Sequence, residues 1–230
     1  MQFLGRLALA LATMAALSES VFAQVAPTPS ESAGYTGLFA AAARGETGRI
    51  VQLVGAGADV RARDQYGRTP LHVATYASKH DAMRALVKAG ADRDAQERDR
   101  YDIVTIAAVA DDLATLKVAL AIGASAKNIT SRYDGTALIA AAHLGHDGVV
   151  LELIRAGAPL DHVNNLGWTA LIESIVLGNG GARHTATLKA LVEAGANVNL
   201  SDRRGVSPLA MAKDRGYRGM AAILENAGAR

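Results

Sequence analysis

The chain of 230 residues contains no cysteine. Disulfides, thiolate metal ligands, cysteine nucleophiles and lipid attachment at a lipobox cysteine are thereby excluded. Aromatic residues make up only 4% of the chain, with a single tryptophan. The core must therefore be built from small aliphatic side chains. Beyond residue 23 no apolar run reaches the roughly 20 residues that span a bilayer. The formal net charge is only +2, and a nucleic-acid binder would show a dense basic stripe, so no nucleic-acid partner is expected. There is no G-x-S-x-G elbow and no pair of carboxylates on one clear element. A non-catalytic protein without cofactor or metal is expected.

The start of the chain carries export chemistry. Arg6 is a positive flank, Leu7 to Leu17 is an apolar run of 11 residues, and Val21-Phe22-Ala23 offers small residues to a signal peptidase. Eleven helical residues reach about 16 Å at 1.5 Å each, short of the roughly 30 Å of a hydrocarbon core. Residues 1–23 are read as a cleaved signal peptide, and the absence of cysteine suits an oxidising compartment. The expected location is the bacterial periplasm, with no membrane attachment after cleavage. Residues 24–34 (QVAPTPSESAG) are polar and rich in Pro and Ser, and are read as a flexible linker.

From residue 35 onward a Gly-Ala pair returns at a nearly fixed interval. It stands at Gly57, Gly90, Gly123, Gly157, Gly195 and Gly228, with spacings of 33, 33, 34, 38 and 33 residues. A period of this size marks a stack of supersecondary units, not one globular core. In one copy, Asp64 to Gly67 is turn chemistry, Thr69 is a hydroxyl cap and Pro70 stands at the first helical position. A short helix follows, then a break at Ser78-Lys79-His80, then a second helix ended by Gly90. The cap recurs at Thr136, Thr169 and Ser207, and the inter-helix glycine at Gly45, Gly145, Gly178 and Gly216. Neither helix is long enough to be stable alone, so each buries its apolar face on the next copy. The expected units are about 35–66, 67–99, 100–133, 134–166, 167–204 and 205–230.

Gly67-Arg68-Thr69-Pro70-Leu71-His72-Val73-Ala74 closely resembles the G-x-T-P-L-H-x-A signature of ankyrin repeats. Gly195-Ala196-Asn197-Val198-Asn199 resembles that family's repeat ending. The resemblance implies an all-α solenoid of helix-loop-helix units joined by β-turn fingers, with a concave protein-binding face. It also implies a monomeric binding module, and some exported bacterial members support catalase function. Three copies depart from the pattern. The first lacks the turn and cap and is read as a terminal cap. The third has Asp111 in place of its inter-helix glycine. The fifth carries five extra residues around 179–185, read as a flexible extended loop.

Two candidate chemical sites have plainer readings. His143 and His146, with Asp147, have the spacing of metal ligands. His146, however, fills the G-H position after Gly145, where the first helix has ended, so the rings need not converge. Gly178-Asn179-Gly180-Gly181 lacks the preceding strand and following lysine of a phosphate loop. His72 is placed to bond back to the Thr69 cap, and Asp111-Asp112 to cap the next helix.

Under the resemblance, the residues flanking the turn glycine and late in each first helix face the partner. They are Tyr66, Arg68, Tyr76, Arg98, Tyr101, Arg132, Tyr133, His143, Asn165, Trp168, Arg203 and Arg204. Tyr, Trp and Arg are the types that carry binding hot spots. A competing reading is that the turn tyrosines brace neighbouring fingers. The expected function is a protein-binding module engaging an acidic patch on a folded partner. An immunity protein blocking a toxic exported enzyme would use the same surface. A metal- or ligand-binding role for His143, His146 and His184 is the third alternative.

Overall fold

The computed structural model describes residues 26–230, so the expected signal peptide (1–23) lies outside the described residues. Thirteen helices occur among the described residues, with no strand beyond an isolated bridge between Thr130 and Gly135. After α1 (Pro29–Gly34) the helices run in six antiparallel pairs. They are α2 (Gly37–Arg44) with α3 (Thr47–Gly55), α4 (Pro70–Tyr76) with α5 (His80–Lys88), and α6 (Ile103–Val109) with α7 (Leu113–Ala121). The remaining pairs are α8 (Ala137–Leu144) with α9 (Asp147–Arg155), α10 (Ala170–Val176) with α11 (Ala182–Glu193), and α12 (Pro208–Asp214) with α13 (Arg218–Asn226). First helices stack on first helices and second on second, which is the solenoid expected from the period.

Capping and backbone handedness set the repeat. Thr69, Thr136, Thr169 and Ser207 each accept the backbone N–H three residues on, and Asp102 does the same in the third pair. The glycine of each of the six periodic Gly-Ala pairs is left-handed, as at Gly123 with φ +88°. Ser78 and Asp111 hold the same left-handed turn (φ 51° and 54°) where other pairs place glycine. Alanine then lets the first helices approach closely. Ala42, Ala74, Ala108 and Ala142 are fully buried beside Leu71, Leu138 and Leu171. A core of this kind needs few aromatics.

His72 completes a capping box. Its Nε2 lies 3.2 Å from the Tyr101 carbonyl, which can only accept, so that nitrogen carries the proton. Nδ1 then accepts from the Thr69 N–H at 3.1 Å, as the sequence predicts. Burial pushes the His72 pKa from 6.5 down to about 4, against the opposing pull of bonds to Tyr101 and Ala95. Between those values the unfolded chain binds a proton that the folded chain does not. The contribution is therefore full above pH 6.5 and is lost as pH falls towards 4. The urea-unfolding free energy is expected to drop by roughly 2 kcal/mol between pH 7.5 and pH 5. Equal values at the two pH settings would refute this.

Two segments differ from expectation. The stretch expected as a flexible linker contains α1, because Thr28 and Glu31 cap each other reciprocally and Pro29 opens the helix. The extra residues of the fifth copy are not an extended loop throughout. From Ala182 they lengthen α11 to 12 residues, against nine in each of the other second helices.

Candidate partner-binding face

Between successive pairs the chain makes a tight finger; four of the five are built on one side chain, and the one between the third and fourth pairs is closed by the backbone bridge of Thr130 and Gly135. Asp64 accepts the backbone N–H groups of Tyr66 and Arg68, each at 2.9 Å. Glu97, Asn164 and Asp202 repeat this two-residue and four-residue clamp in their own fingers. The fingers are tied to one another by backbone. Arg98 N–H donates to the Tyr66 carbonyl at 3.0 Å, Ser131 to Arg100 at 3.2 Å, and Asn165 to Tyr133 at 2.9 Å. The tips of the first four fingers therefore form a continuous edge with little freedom to splay, and the fifth finger, which carries Arg203 and Arg204, extends it without such a bond.

That edge carries five of the expected residues in exposed positions: Arg98, Arg132, Asn165, Arg203 and Arg204. Arg98 donates to the Gln65 carbonyl, Arg132 to Asp99 at 2.9 Å, and Asn165 Nδ2 to the Arg132 carbonyl at 3.0 Å. Tyr133 is half-buried among them. Tyr66 is also half-buried, with the Arg68 and Arg98 guanidiniums 4.5 and 5.7 Å from its ring centroid. That stacking is the bracing role.

Three expected contact residues are not on the surface. Arg68 is 1% exposed. Its Nε donates to Asp64 at 2.7 Å and its Nη2 to Glu31 of α1 at 3.3 Å. Hydrogen bonds from Arg68 and Tyr35 hold the Asp64 carboxyl below the usual carboxylate range, outweighing the upward push of burial. Tyr101 is 3% exposed, and burial raises its pKa to about 12. His143 is buried on α8, with Nδ1 3.1 Å from the Glu173 carboxylate of α10. Tyr76 is mostly covered, and its hydroxyl is shut away from solvent without a hydrogen-bond partner. Depth removes these side chains from the docking surface, whereas the exposed residues sit at the finger tips.

The histidines considered for metal binding are each directed elsewhere. His146 Nδ1 donates to the Ala108 carbonyl at 2.9 Å, and His184 Nε2 to the His143 carbonyl at 2.9 Å. Among the described residues no group of three or more His, Asp or Glu is arranged around a cation site. Asp112 caps α7 through the Thr115 N–H at 2.9 Å, as expected. Asp111 instead pairs with Arg183 at 2.7 Å.

The sequence reading missed Glu173. It is 1% exposed and accepts from Asn164 Nδ2 at 2.8 Å as well as facing His143. Asn164 in turn clamps the finger that carries Trp168. Glu173 stands four residues after its cap, where other pairs have Val73, Ile106, Ala140 and Met211, and that contrast was the available signal. Trp168 and Arg204 meet at a cleft of about 500 Å3 between the fifth and sixth pairs.

The sequence profile described as "Ankyrin repeats (3 copies)" matches residues 9–99 and 104–202. The chain belongs to the ankyrin-repeat family. It is 32% identical over 190 residues to the ankyrin repeat protein YahD of Escherichia coli strain K12, covering 82% of this chain and 94% of that one. It is 31% identical over 151 residues to human neurogenic locus notch homolog protein 1, a match over 65% of this chain and 6% of that protein. Among solved structures, an ankyrin repeat domain from Acinetobacter baumannii AYE matches with a TM-score of 0.78 and 42% identity, over 84% of this chain and 98% of that one. The ankyrin repeat domain of Bcl-3, of the IkappaB protein family, matches with a TM-score of 0.76 and 28% identity, over 86% and 88%. Ankyrin-repeat proteins are generally protein-protein interaction modules and generally non-catalytic.

Proposed function

We propose that this ankyrin-repeat protein is a monomeric, non-catalytic binding module of the bacterial periplasm. It engages an acidic patch on a folded partner through the edge formed by its fingers. The observation that carries this reading is the row of exposed guanidiniums at Arg98, Arg132, Arg203 and Arg204, the first two on fingers held in register by backbone bonds. Arginines on a rigid support bind with little ordering cost. The periplasmic location comes from the export chemistry of residues 1–23. The family resemblance makes an oxidative-stress enzyme such as catalase one candidate partner.

The test is affinity capture of the tagged full chain from its own periplasm, compared with a variant carrying Arg98→Glu, Arg132→Glu and Arg203→Glu. Charge reversal is expected to cut recovery of the partner by roughly tenfold or more, because like charges would then face each other. Far-ultraviolet circular dichroism should not change. Undiminished recovery would show that the finger edge is not the binding face.

A further inference from the structure

The cleft between the fifth and sixth pairs joins two chemistries. Its apolar wall is Trp168, Val176, Val206 and Met211, from two fingers and two first helices. Trp168 is the only tryptophan of the chain and is only half-buried, although its ring packs against the core. Arg204 and Arg215 line the same cleft and are exposed. Arg204 engages Asp202 through Nε at 3.2 Å, which leaves its terminal nitrogens for another acceptor. Arg215 has no carboxylate partner among the described residues. Among the side chains that line the cleft two are cationic and one, Asp214, is acidic, while Asp202, which pairs with Arg204, is buried behind the lining. The imbalance extends outward, because residues 201–230 hold six Lys and Arg against three Asp and Glu.

An apolar recess rimmed by guanidiniums suits one kind of occupant. We propose that the Trp168 cleft takes a large apolar side chain of the partner, with carboxylates beside it in an extended acidic segment. The apolar side chain fills the space over Trp168, and the flanking carboxylates meet Arg204 and Arg215. The segment then runs towards Arg203 and the finger edge. The buried Glu173-Asn164 bond fixes the finger beneath, so Trp168 is positioned before the segment arrives. The inference rests on the protein-binding reading and names the anchor within it.

Trp168 supplies the readout. A random dodecapeptide library is panned on the full chain, and selected peptides are titrated while tryptophan fluorescence is followed. The expected peptides carry Leu, Ile, Phe or Met within two residues of Asp or Glu, and they shift Trp168 emission. Ala210 lines the cleft and is exposed, so Ala210→Glu places a carboxylate there without disturbing the core. That variant, and separately Arg215→Glu, should weaken binding by roughly tenfold or more, while Arg49→Ala, exposed on α3 and outside both the finger edge and the cleft, changes it less than about twofold. Enrichment of peptides without acidic residues, no enrichment at all, or equal binding by the Ala210→Glu variant would overturn the proposal. Partner capture separates the two readings. Loss on reversing Arg98 and Arg132, with none in the Ala210→Glu variant, would sink the cleft and leave the finger edge standing.

Discussion

Replacing Gly178 with alanine is expected to cost roughly 3 kcal/mol or more of folding stability. A Cβ at this position would overlap the Ser174 carbonyl oxygen and crowd the His184 ring, whose Cδ2 would lie 2.6 Å away. The carbonyl belongs to the backbone just before the turn and cannot rotate aside as a side chain would. The Gly178 carbonyl also accepts the Tyr217 hydroxyl at 3.0 Å, so a shift here is transmitted to the sixth pair. The Tyr217 ring leaves no room for a side chain at Gly180 either. Urea denaturation of Gly178→Ala against wild type is the measurement. Gly34→Ala is the control, because nothing lies within 4 Å of a Cβ there, and it should stay within about 0.5 kcal/mol. Matching midpoints for Gly178→Ala and wild type would mean that this connection is not packed as described.

The second large effect is expected at Arg68. Removing one member of a buried, hydrogen-bonded ion pair costs about 3–5 kcal/mol, because the remaining charge stays buried without its counterion. Arg68→Ala leaves Asp64 and Glu31 facing a void and removes the guanidinium stacked on Tyr66. It should lower the unfolding free energy by an amount in that range. Arg98→Ala, one finger along and exposed, should change it by less than about 0.5 kcal/mol. Similar values for the two would contradict the burial of Arg68. Partner capture with Arg68→Ala therefore reports on folding, and the exposed arginines are the ones to use for binding.

Arg68 also shows where sequence reading stops. Residues 68, 101, 135, 168 and 206 each precede a helix cap, so the repeat assigns them one position. The structure gives that position two depths. Arg68 and Tyr101 are buried, whereas Trp168 is half exposed beside a cleft. What buries Arg68 is Glu31, which lies 37 residues away on a helix hidden within a Pro- and Ser-rich stretch. Thr28-Pro29-Ser30-Glu31 does spell a capping box, and composition drew attention away from it. The local features were legible because their causes are local. Hydroxyl caps, left-handed glycines and alanine faces act within a few residues. The exposed arginines at the finger tips were legible as well. The Glu173 network and the Arg183 pairs were not, since their partners come from other repeats.

Arg183 changes how the stack is expected to come apart. Its guanidinium pairs with Asp147 of the fourth unit at 3.1 Å and with Asp111 of the third at 2.7 Å. The bond to Asp111 spans 72 residues and bypasses a whole unit. Repeat stacks ordinarily open one boundary at a time, because each unit touches only its neighbours. Here the third, fourth and fifth units share a tie that no single boundary contains. Opening the boundary between the fourth and fifth units must also break the tie to the third, which adds at most about 1 kcal/mol because the pairs are exposed, while fraying at the N-terminal end remains a separate event.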